Sequence, residues 1–494
     1  MITRTNRVLL VDLNNFARYP TVPIGYLASS LRKANMNVDV FSPLALGVSG
    51  TVREPRPRPW GQYEQRLRYW SAVSESPTVR RVREAAARRA GSQLALRAGH
   101  IARELNAFVD GSAGYDVVLI STYLMYFGLC RDIAKDCKRR GIPVVIGGPY
   151  FTDSRVADPW RHLEGVAGVV GGEIDLRVAE LVELVVDRED LSCFPGVWTA
   201  QCRSIEAPPF TELDSVPFPD YSDFPWDRYP EPIVPIITGR GCQWGACTFC
   251  SDVTSTAGRT YRTRSAENVV EEIRYQAKRF KTGLFVFTDL KLNSNLAVWH
   301  ALIDQPIPDM EWVGSVHVDS RSHNGLTRDE LRRARAAGLV RLTTGLESGS
   351  QRVLDKMCKG TQLELTSGFL RNAHDAGISV RTTMVLGYPG EFAADVRKST
   401  TFLLDHADCL DRVSLNRFQI MIGTPIERRI STDPSKTPSL SNVNANDSMA
   451  QVEHAYDQWQ DPDYRQAVYD LIDVVHRINR HRLSPSARTF EGVM

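Results

Sequence analysis

Twice along this chain of 494 residues, short runs of Val, Ile and Leu alternate with stretches of helical periodicity. That double alternation limits the fold more than any other feature. Runs of this kind are strands buried on both faces, and strands separated by helices build parallel sheets. In the first third the strand candidates are Arg7–Leu13, Asn37–Phe41, Tyr115–Ser121, Ile142–Gly147 and Gly165–Val170, with helices over Ile24–Ala34, around Cys130–Arg140 and over Leu176–Val186. They predict an α/β unit, doubly wound and Rossmann-like, over residues 1–202. A proline-rich acidic linker, 203–232, leads to a second unit over 233–422. Its strand candidates are Val234–Thr238, Leu284–Thr288, Glu311–His317, Val340–Thr344, Val380–Leu386 and Arg412–Phe418. Helical patterns lie between them at Ala266–Lys281, Thr327–Ala337, Ser350–Met357 and Leu363–Ala376. Six such repeats predict a partial (β/α)6 barrel, whose chemistry would lie at the carboxyl ends of the strands. Residues 423–494 read as a small helical region, with a polar loop at Ile430–Asn446 and helices over Met449–Gln460 and Asp463–Arg480.

Doubly wound sheets also bind ligands outside the carboxyl ends of their strands. Those ends are here small and polar: Asn14-Asn15, Ser121-Thr122, Gly147-Gly148-Pro149 and Gly171-Gly172-Glu173. Four such ends in register predict a ligand crevice.

With 43% hydrophobic and 24% charged residues the composition is that of a globular protein and excludes collagen-like, disordered and disulfide-scaffold classes. No run approaches the ~18 apolar residues of a membrane helix. The first residues, MITRTNRVLLVDLNN, read as a buried strand and not as a secretory leader. A cytoplasmic protein without membrane partners is expected. The net charge of +2 hides an uneven distribution, since residues 52–100 carry eleven Arg and no Lys against four Glu. A helical insertion over about 52–110 with a solvated basic face accounts for that segment; the other reading is a contact for nucleic acid or an anionic ligand.

Nine cysteines without framework spacing argue against a secreted disulfide fold. Cys130, Cys137, Cys358 and Cys409 read as structural, and Cys193 and Cys202 are scattered. Cys242, Cys247 and Cys250 fall within nine residues, as C-x4-C-x2-C in a glycine-rich loop directly after the first strand of the second unit. A closed zinc site needs four ligands, yet no His lies between His162 and His300 and no fourth Cys is near. A redox dithiol has no use for a third thiol. Iron–sulfur ligation suits three thiolates best, and three ligands on a four-iron cube leave one iron open. Among scattered groups around the barrel, Trp299, His300, His317 and His323, His317 ends a strand candidate and points to the cavity.

At this loop the sequence resembles the radical S-adenosylmethionine superfamily, whose usual signature is C-x3-C-x2-C with an aromatic before the last Cys. Phe249 supplies the aromatic, and one extra residue separates the first two cysteines. Phe285–Asp289, Gly345–Ser350 with Val353, Leu354 and Met357, and Thr383–Glu391 are similar to the family's later strand motifs. The resemblance implies that Cys242, Cys247 and Cys250 hold a [4Fe–4S] cluster and that its open iron chelates S-adenosylmethionine. Phe249 would pack beside the adenine, Glu347 would meet the ribose, and Gly387 and Gly390 would admit the adenosine closely. A low-potential donor such as a flavodoxin or ferredoxin would reduce the cluster.

The first unit narrows the resemblance. Pro23–Ala28, Ser121, Gly147-Gly148-Pro149 and Gly171-Gly172-Glu173, followed by the acidic linker, are similar to the cobalamin-binding branch of that superfamily. Ser121, Gly147, Gly148 and Gly172 would line the corrinoid. The D-x-H-x-x-G motif that supplies a cobalt-ligating His is absent, since Asp12 is followed by Leu13, Asn14 and Asn15. The branch implies methyl transfer to an unactivated carbon of a natural-product intermediate or peptide. The alternatives are a radical cyclisation, rearrangement or oxidation with cobalamin non-methylating or absent, and a sensor without turnover that uses the basic segment to contact nucleic acid.

Overall fold

A computed structural model describes residues 5–54, 58–192, 194–203, 205, 207–252, 261–320, 324–433, 435, 437 and 439–493; Cys193 and His323 lie outside them. The first unit is a six-stranded sheet of β1 (Arg7–Asp12), β2 (Asn37–Phe41), β3 (Val117–Ser121), β4 (Val144–Gly147), β5 (Val166–Val170) and β6 (Val197–Trp198), in the order β2-β1-β3-β4-β5-β6. All pairs are parallel except β5 with the two-residue β6. Alternate residues of one strand feed different cores. Val8, Leu10, Val117 and Leu119 pack with α1 (Val22–Lys33) and the later helix Val178–Val186, whereas Leu9, Val11, Val118 and Ile120 pack on the other face. Such two-sided burial is why these strands read as unbroken apolar runs.

The basic insertion forms α2 (Gly61–Val73) and the 34-residue α3 (Pro77–Asp110). Only the last turns of α3 reach the sheet, through Ile101, Leu105 and Val109 at four-residue spacing. Its arginine-rich first turns are exposed, as a solvated helical face requires. On the same side of the sheet, α4 (Phe127–Arg139) buries Cys130 and Cys137, which are core residues as expected, and α5 (Ser154–Arg161) adds Trp160.

The linker is extended and seats Tyr221 against Gly25 of α1, where any Cβ would stand 2.4 Å from the ring. The glycine of Pro23-Ile24-Gly25-Tyr26 is therefore needed to let the linker lie on the helix. Beyond it, with α6 now assigned to Val178–Val186, come β7 (Val234–Ile236), β8 (Gly239–Arg240), β9 (Arg262–Thr263), α7 (Ala266–Phe280), β10 (Leu284–Phe287), α8 (Leu296–Asp304), β11 (Glu311–Val316), α9 (Arg328–Ala336), β12 (Leu339–Glu347), α10 (Gln351–Lys356), α11 (Leu363–Asp375), β13 (Ser379–Leu386), α12 (Ala393–Asp405) and β14 (Arg412–Arg417). The six main strands form one parallel sheet in the order β14-β13-β12-β11-β10-β7, an open partial barrel with its helices outside. Every predicted strand of this unit is present. Tyr19, Phe490 and Val493 fill the base of the barrel against Val286, Val313 and Val340.

The tail departs from expectation. Residues Leu440–Asn446 and Gln451–Tyr456 are antiparallel strands β16 and β17, with β15 (Ile420–Met421) on the other side of β17, so Met449–Gln460 is a strand followed by only a 3₁₀ turn at Asp457–Gln460, and Ile430–Asn446 is not all loop. In β17, Val452 and Tyr456 are buried four residues apart, a spacing equally compatible with a helix face. After α13 (Pro425–Thr432), the expected helix is present as α14 (Pro462–Asn479), with a last short turn α15 (Pro485–Thr489). Among the described residues no helix is long and apolar enough to cross a membrane.

Candidate functional site

The three cysteines leave β7 at the open mouth of the barrel, all partly exposed and none in a disulfide. Asp289, just past β10, fixes the start of their loop. Its carboxylate accepts from the Thr238 backbone N–H at 3.0 Å, the Thr238 hydroxyl at 2.8 Å and the Gly239 N–H at 2.9 Å. Burial pushes its pKa up to about 6 despite these bonds. Further along, Trp244 donates from Nε1 to the Cys358 carbonyl at 2.9 Å and stands edge-on to His317, ring centres 5.9 Å apart. Thr248 donates from its backbone to the Met357 carbonyl at 3.0 Å and shares a 2.7 Å hydroxyl contact with Tyr388.

Burial pushes the Cys247 thiol up to about 11, against the pull of Lys359. That lysine also feels the charges of Glu347 and Cys250, and its Nζ lies 5.9 Å from the centre of the Phe249 ring. A thiol in such a place gives up its proton to a metal or a neighbouring cation. Among the described residues no three His, Cys, Asp or Glu side chains converge tightly enough to grip a single ion. A four-iron cube takes thiolates at separate corners, so the donor set fits it without such convergence.

Glu347 ends β12 in a left-handed conformation, φ 61°, at a bulge against β13. It is buried and accepts from Lys359 Nζ at 3.0 Å and from the Thr383 hydroxyl at 3.3 Å. Gly387 and Gly390 both have positive φ in the turn after β13. A Cβ on Gly390 would meet the end of Lys356, and the Gly387 N–H donates to Glu391 Oε2 at 2.7 Å. Phe249, Glu347 and the thiols thus share the barrel mouth around Lys359, while both glycines are explained by their turn. Cys358, expected in the core, is exposed at φ 52° beside this cluster because the chain turns there after α10. Trp299 is core, and His300 pairs with Glu330 at 3.1 Å on the outer helices.

At the first sheet, Ser121 and Gly147 are register partners at the ends of β3 and β4, and Ser121 Oγ accepts from Asn14 Nδ2 at 2.9 Å. A Cβ on Gly147 would meet nothing closer than 3.8 Å, so this edge stays open. Gly148 is different: its Cβ would lie 2.2 Å from the Thr122 carbonyl oxygen, and that of Gly172 would lie 3.0 Å from Ala207. Chain packing alone demands the first of these two glycines.

Sequence reasoning missed what joins the two strand-end regions. Arg240, two residues before Cys242, makes a bidentate pair with Asp175 at 2.7 and 3.1 Å, and Arg262 does the same with Glu173 at 2.7 and 2.9 Å. Tyr150, at φ 78° after Gly147-Gly148-Pro149, brings its hydroxyl to 3.5 Å from Ser251 Oγ beside Cys250. The only signal in the sequence was two acids after a glycine pair.

Glu391 offers a titration test. Tyr464 donates to it at 2.6 Å, Tyr456 donates to its carbonyl, and Asp395 and Arg352 stand nearby with opposite effects. Burial raises its pKa from 4.5 to about 7. The unfolded chain therefore binds fewer protons than the folded one across that interval, and folding weakens as pH rises through it. The effect is on the order of 3 kcal/mol. The urea midpoint is expected to fall more from pH 5 to pH 7.5 for the natural protein than for Glu391→Gln; parallel slopes would refute it.

Residues 236–403 match the family described as the Radical SAM superfamily. That segment is a radical SAM domain. The chain is 26% identical over 335 residues to an uncharacterized methyltransferase of Pyrococcus horikoshii, covering 66% of this chain and 69% of that protein. It is also 24% identical over 277 residues to the anaerobic magnesium-protoporphyrin IX monomethyl ester cyclase of Rubrivivax gelatinosus, covering 52% of this chain and 48% of the cyclase, about half its length. Among solved structures, the radical S-adenosylmethionine methyltransferase TsrM from Kitasatospora setae, with cobalamin and a [4Fe-4S] cluster bound, superposes with a TM-score of 0.65 at 17% identity over 97% of this chain and 93% of that one. The cobalamin-dependent S-adenosylmethionine radical enzyme OxsB, with aqua-cobalamin and S-adenosylmethionine bound, gives 0.66 at 15% identity over 92% and 64%. These likenesses establish the shared two-unit α/β fold.

Proposed function

We propose that the chain is a cobalamin-dependent radical S-adenosylmethionine methyltransferase acting on an unactivated carbon of a small molecule or peptide. The observation that carries this reading is the direct junction of the thiol loop with the carboxyl ends of the first sheet, through Arg240–Asp175 and Tyr150–Ser251. Cys242, Cys247 and Cys250 hold the [4Fe–4S] cluster, Phe249 and Glu347 with the Gly387–Gly390 turn border S-adenosylmethionine, and Ser121, Gly147, Gly148 and Gly172 border the corrinoid. When bound, these groups would supply a carbon-centred radical and a methyl group. The protein's part is to hold the two in fixed relation and keep water out. Asp289, Trp244 and Thr248 fix the thiol loop, and Lys359 offsets negative charge beside Cys247 and Cys250.

The test is anaerobic reconstitution with iron, sulfide and hydroxocobalamin, followed by metal analysis and product assay with candidate substrates and a low-potential flavodoxin. Uptake of about four irons and one corrinoid per chain is expected, with both S-adenosylhomocysteine and 5′-deoxyadenosine as products. Formation of 5′-deoxyadenosine alone, without corrinoid uptake, would replace methyl transfer by a cyclisation, rearrangement or oxidation.

A further inference from the structure

The concave face of the barrel sheet carries a charge that the chemistry above leaves unused. Ser315, Thr343, Arg381 and Arg412 are register partners across β11, β12, β13 and β14, one rung of four side chains. Residues registered in this way project to the same side of a sheet. Their chain neighbours Leu342, Val380 and Val413 pack into the core beneath the helices, so the rung faces the lumen. Arg341, one rung nearer the base, is bidentate on Glu54 at 2.7 and 2.8 Å. Arg412 donates to the carbonyls of Asp411 and His481 at 2.6 and 2.9 Å and lies 3.5 Å from Glu491.

Arg381 has only a longer, shared contact. It is 8% exposed and donates no hydrogen bond to any described residue. Its nearest carboxylate oxygen, 3.9 Å from Nε, is Glu54 Oε1, which Arg341 already occupies. The hydroxyl of its rung neighbour Thr343 is buried and also unpartnered. A buried cation that must share its counter-charge with two others is poorly compensated, and a guanidinium fork with free donors matches a planar carboxylate. Among the described residues Arg341, Arg381 and Arg412 share the Glu54 carboxylate, with Glu491 beside Arg412 and Arg53 adding positive charge nearby, so positive charge is in excess.

We propose that Arg381, with Thr343 beside it, binds a carboxylate of the small-molecule substrate at the floor of the barrel lumen. This deepens the function proposed above and rests on it for the word substrate. Thr383 lies two residues further along β13, about 7 Å towards the mouth, and its hydroxyl touches Glu347 beside the thiol loop. A carboxylate seated on Arg381 thus leaves the length of a few carbon atoms between its anchor and the site of radical formation. The substrate class is a small carboxylate that enters the lumen acid end first.

The probe is acetate, with acetamide as the neutral control, on the reconstituted full-length protein at constant ionic strength. Acetate is expected to raise the melting temperature in a saturable way and acetamide is not. Arg381→Gln is expected to weaken the apparent acetate affinity about tenfold or more, and to melt no lower than the natural protein without acetate, because it removes a buried charge that has no hydrogen-bonded counter-ion of its own. Arg381→Lys should retain part of the response, and Thr343→Val, which keeps the shape but lacks the hydroxyl, should lose part of it. An acetate response equal in the natural protein and Arg381→Gln, or none in either, overturns the proposal. So does a large loss of stability in Arg381→Gln without acetate, which would mark a structural cation. An Arg381-dependent response in protein that takes up no iron–sulfur cluster would sink the proposed function and leave the anion site standing.

Discussion

Replacing Cys247 with alanine is expected to empty the thiol loop of iron and to lower reductive cleavage of S-adenosylmethionine by more than about 100-fold. Changes to groups that merely support a metal ligand already cost 10–100-fold, and loss of a ligand costs more. Burial pushes the Cys247 thiol above its ordinary pKa, so a metal must displace its proton. The measurement is iron and sulfide content, with paramagnetic resonance of the reduced protein. Cys358→Ala is the matched control: it removes a thiol that stands nearby but is exposed and outside the trio. A Cys247→Ala protein that kept its iron and its cleavage rate would place the cluster elsewhere.

The second large effect is expected at the opposite end of the barrel. Glu54→Ala should destabilise the fold by about 3–5 kcal/mol, the usual consequence of removing one member of a buried ion pair. Arg341, 1% exposed, would keep its charge and lose both of its acceptors. Burial raises the Glu54 pKa, but Arg341, with Arg381 and the Gly492 N–H, more than reverses that and holds it below the ordinary value. Its contribution is therefore present above about pH 4.5 and is lost as pH falls through the depressed value. That sign is opposite to the one at Glu391. Urea unfolding at pH 7 and pH 4 measures both, and a Glu54→Ala protein of unchanged stability would show that Arg341 finds another partner.

Much of this architecture was legible in the sequence because buried parallel strands announce themselves. Strands such as Arg7–Asp12 and Val117–Ser121 are rich in Val, Ile and Leu and covered on both sides, so no partner is needed to recognise them. The three cysteines were legible for another reason: their spacing is local, and few centres need three thiols in one glycine-rich loop. The tail hairpin was not, since β16 exposes nearly all its side chains and has no apolar alternation to read. Nor were Arg240–Asp175 and Arg341–Glu54. Their partners lie 65 and 287 residues apart, and nothing in a single sequence pairs charges over such separations. Arg381 looked like any other strand residue until its rung was visible.

The clamp between Arg240 and Asp175 bears on how a reactant gets in. With Arg262–Glu173 beside it and Arg32 held by Asp220 of the linker, the two halves are bolted together next to the chemistry and not hinged there. Opening them like a clam would strip counter-charges from half-buried guanidiniums all at once. Access to the thiol loop then depends on side-chain and loop movements at the rim and not on separation of the two halves.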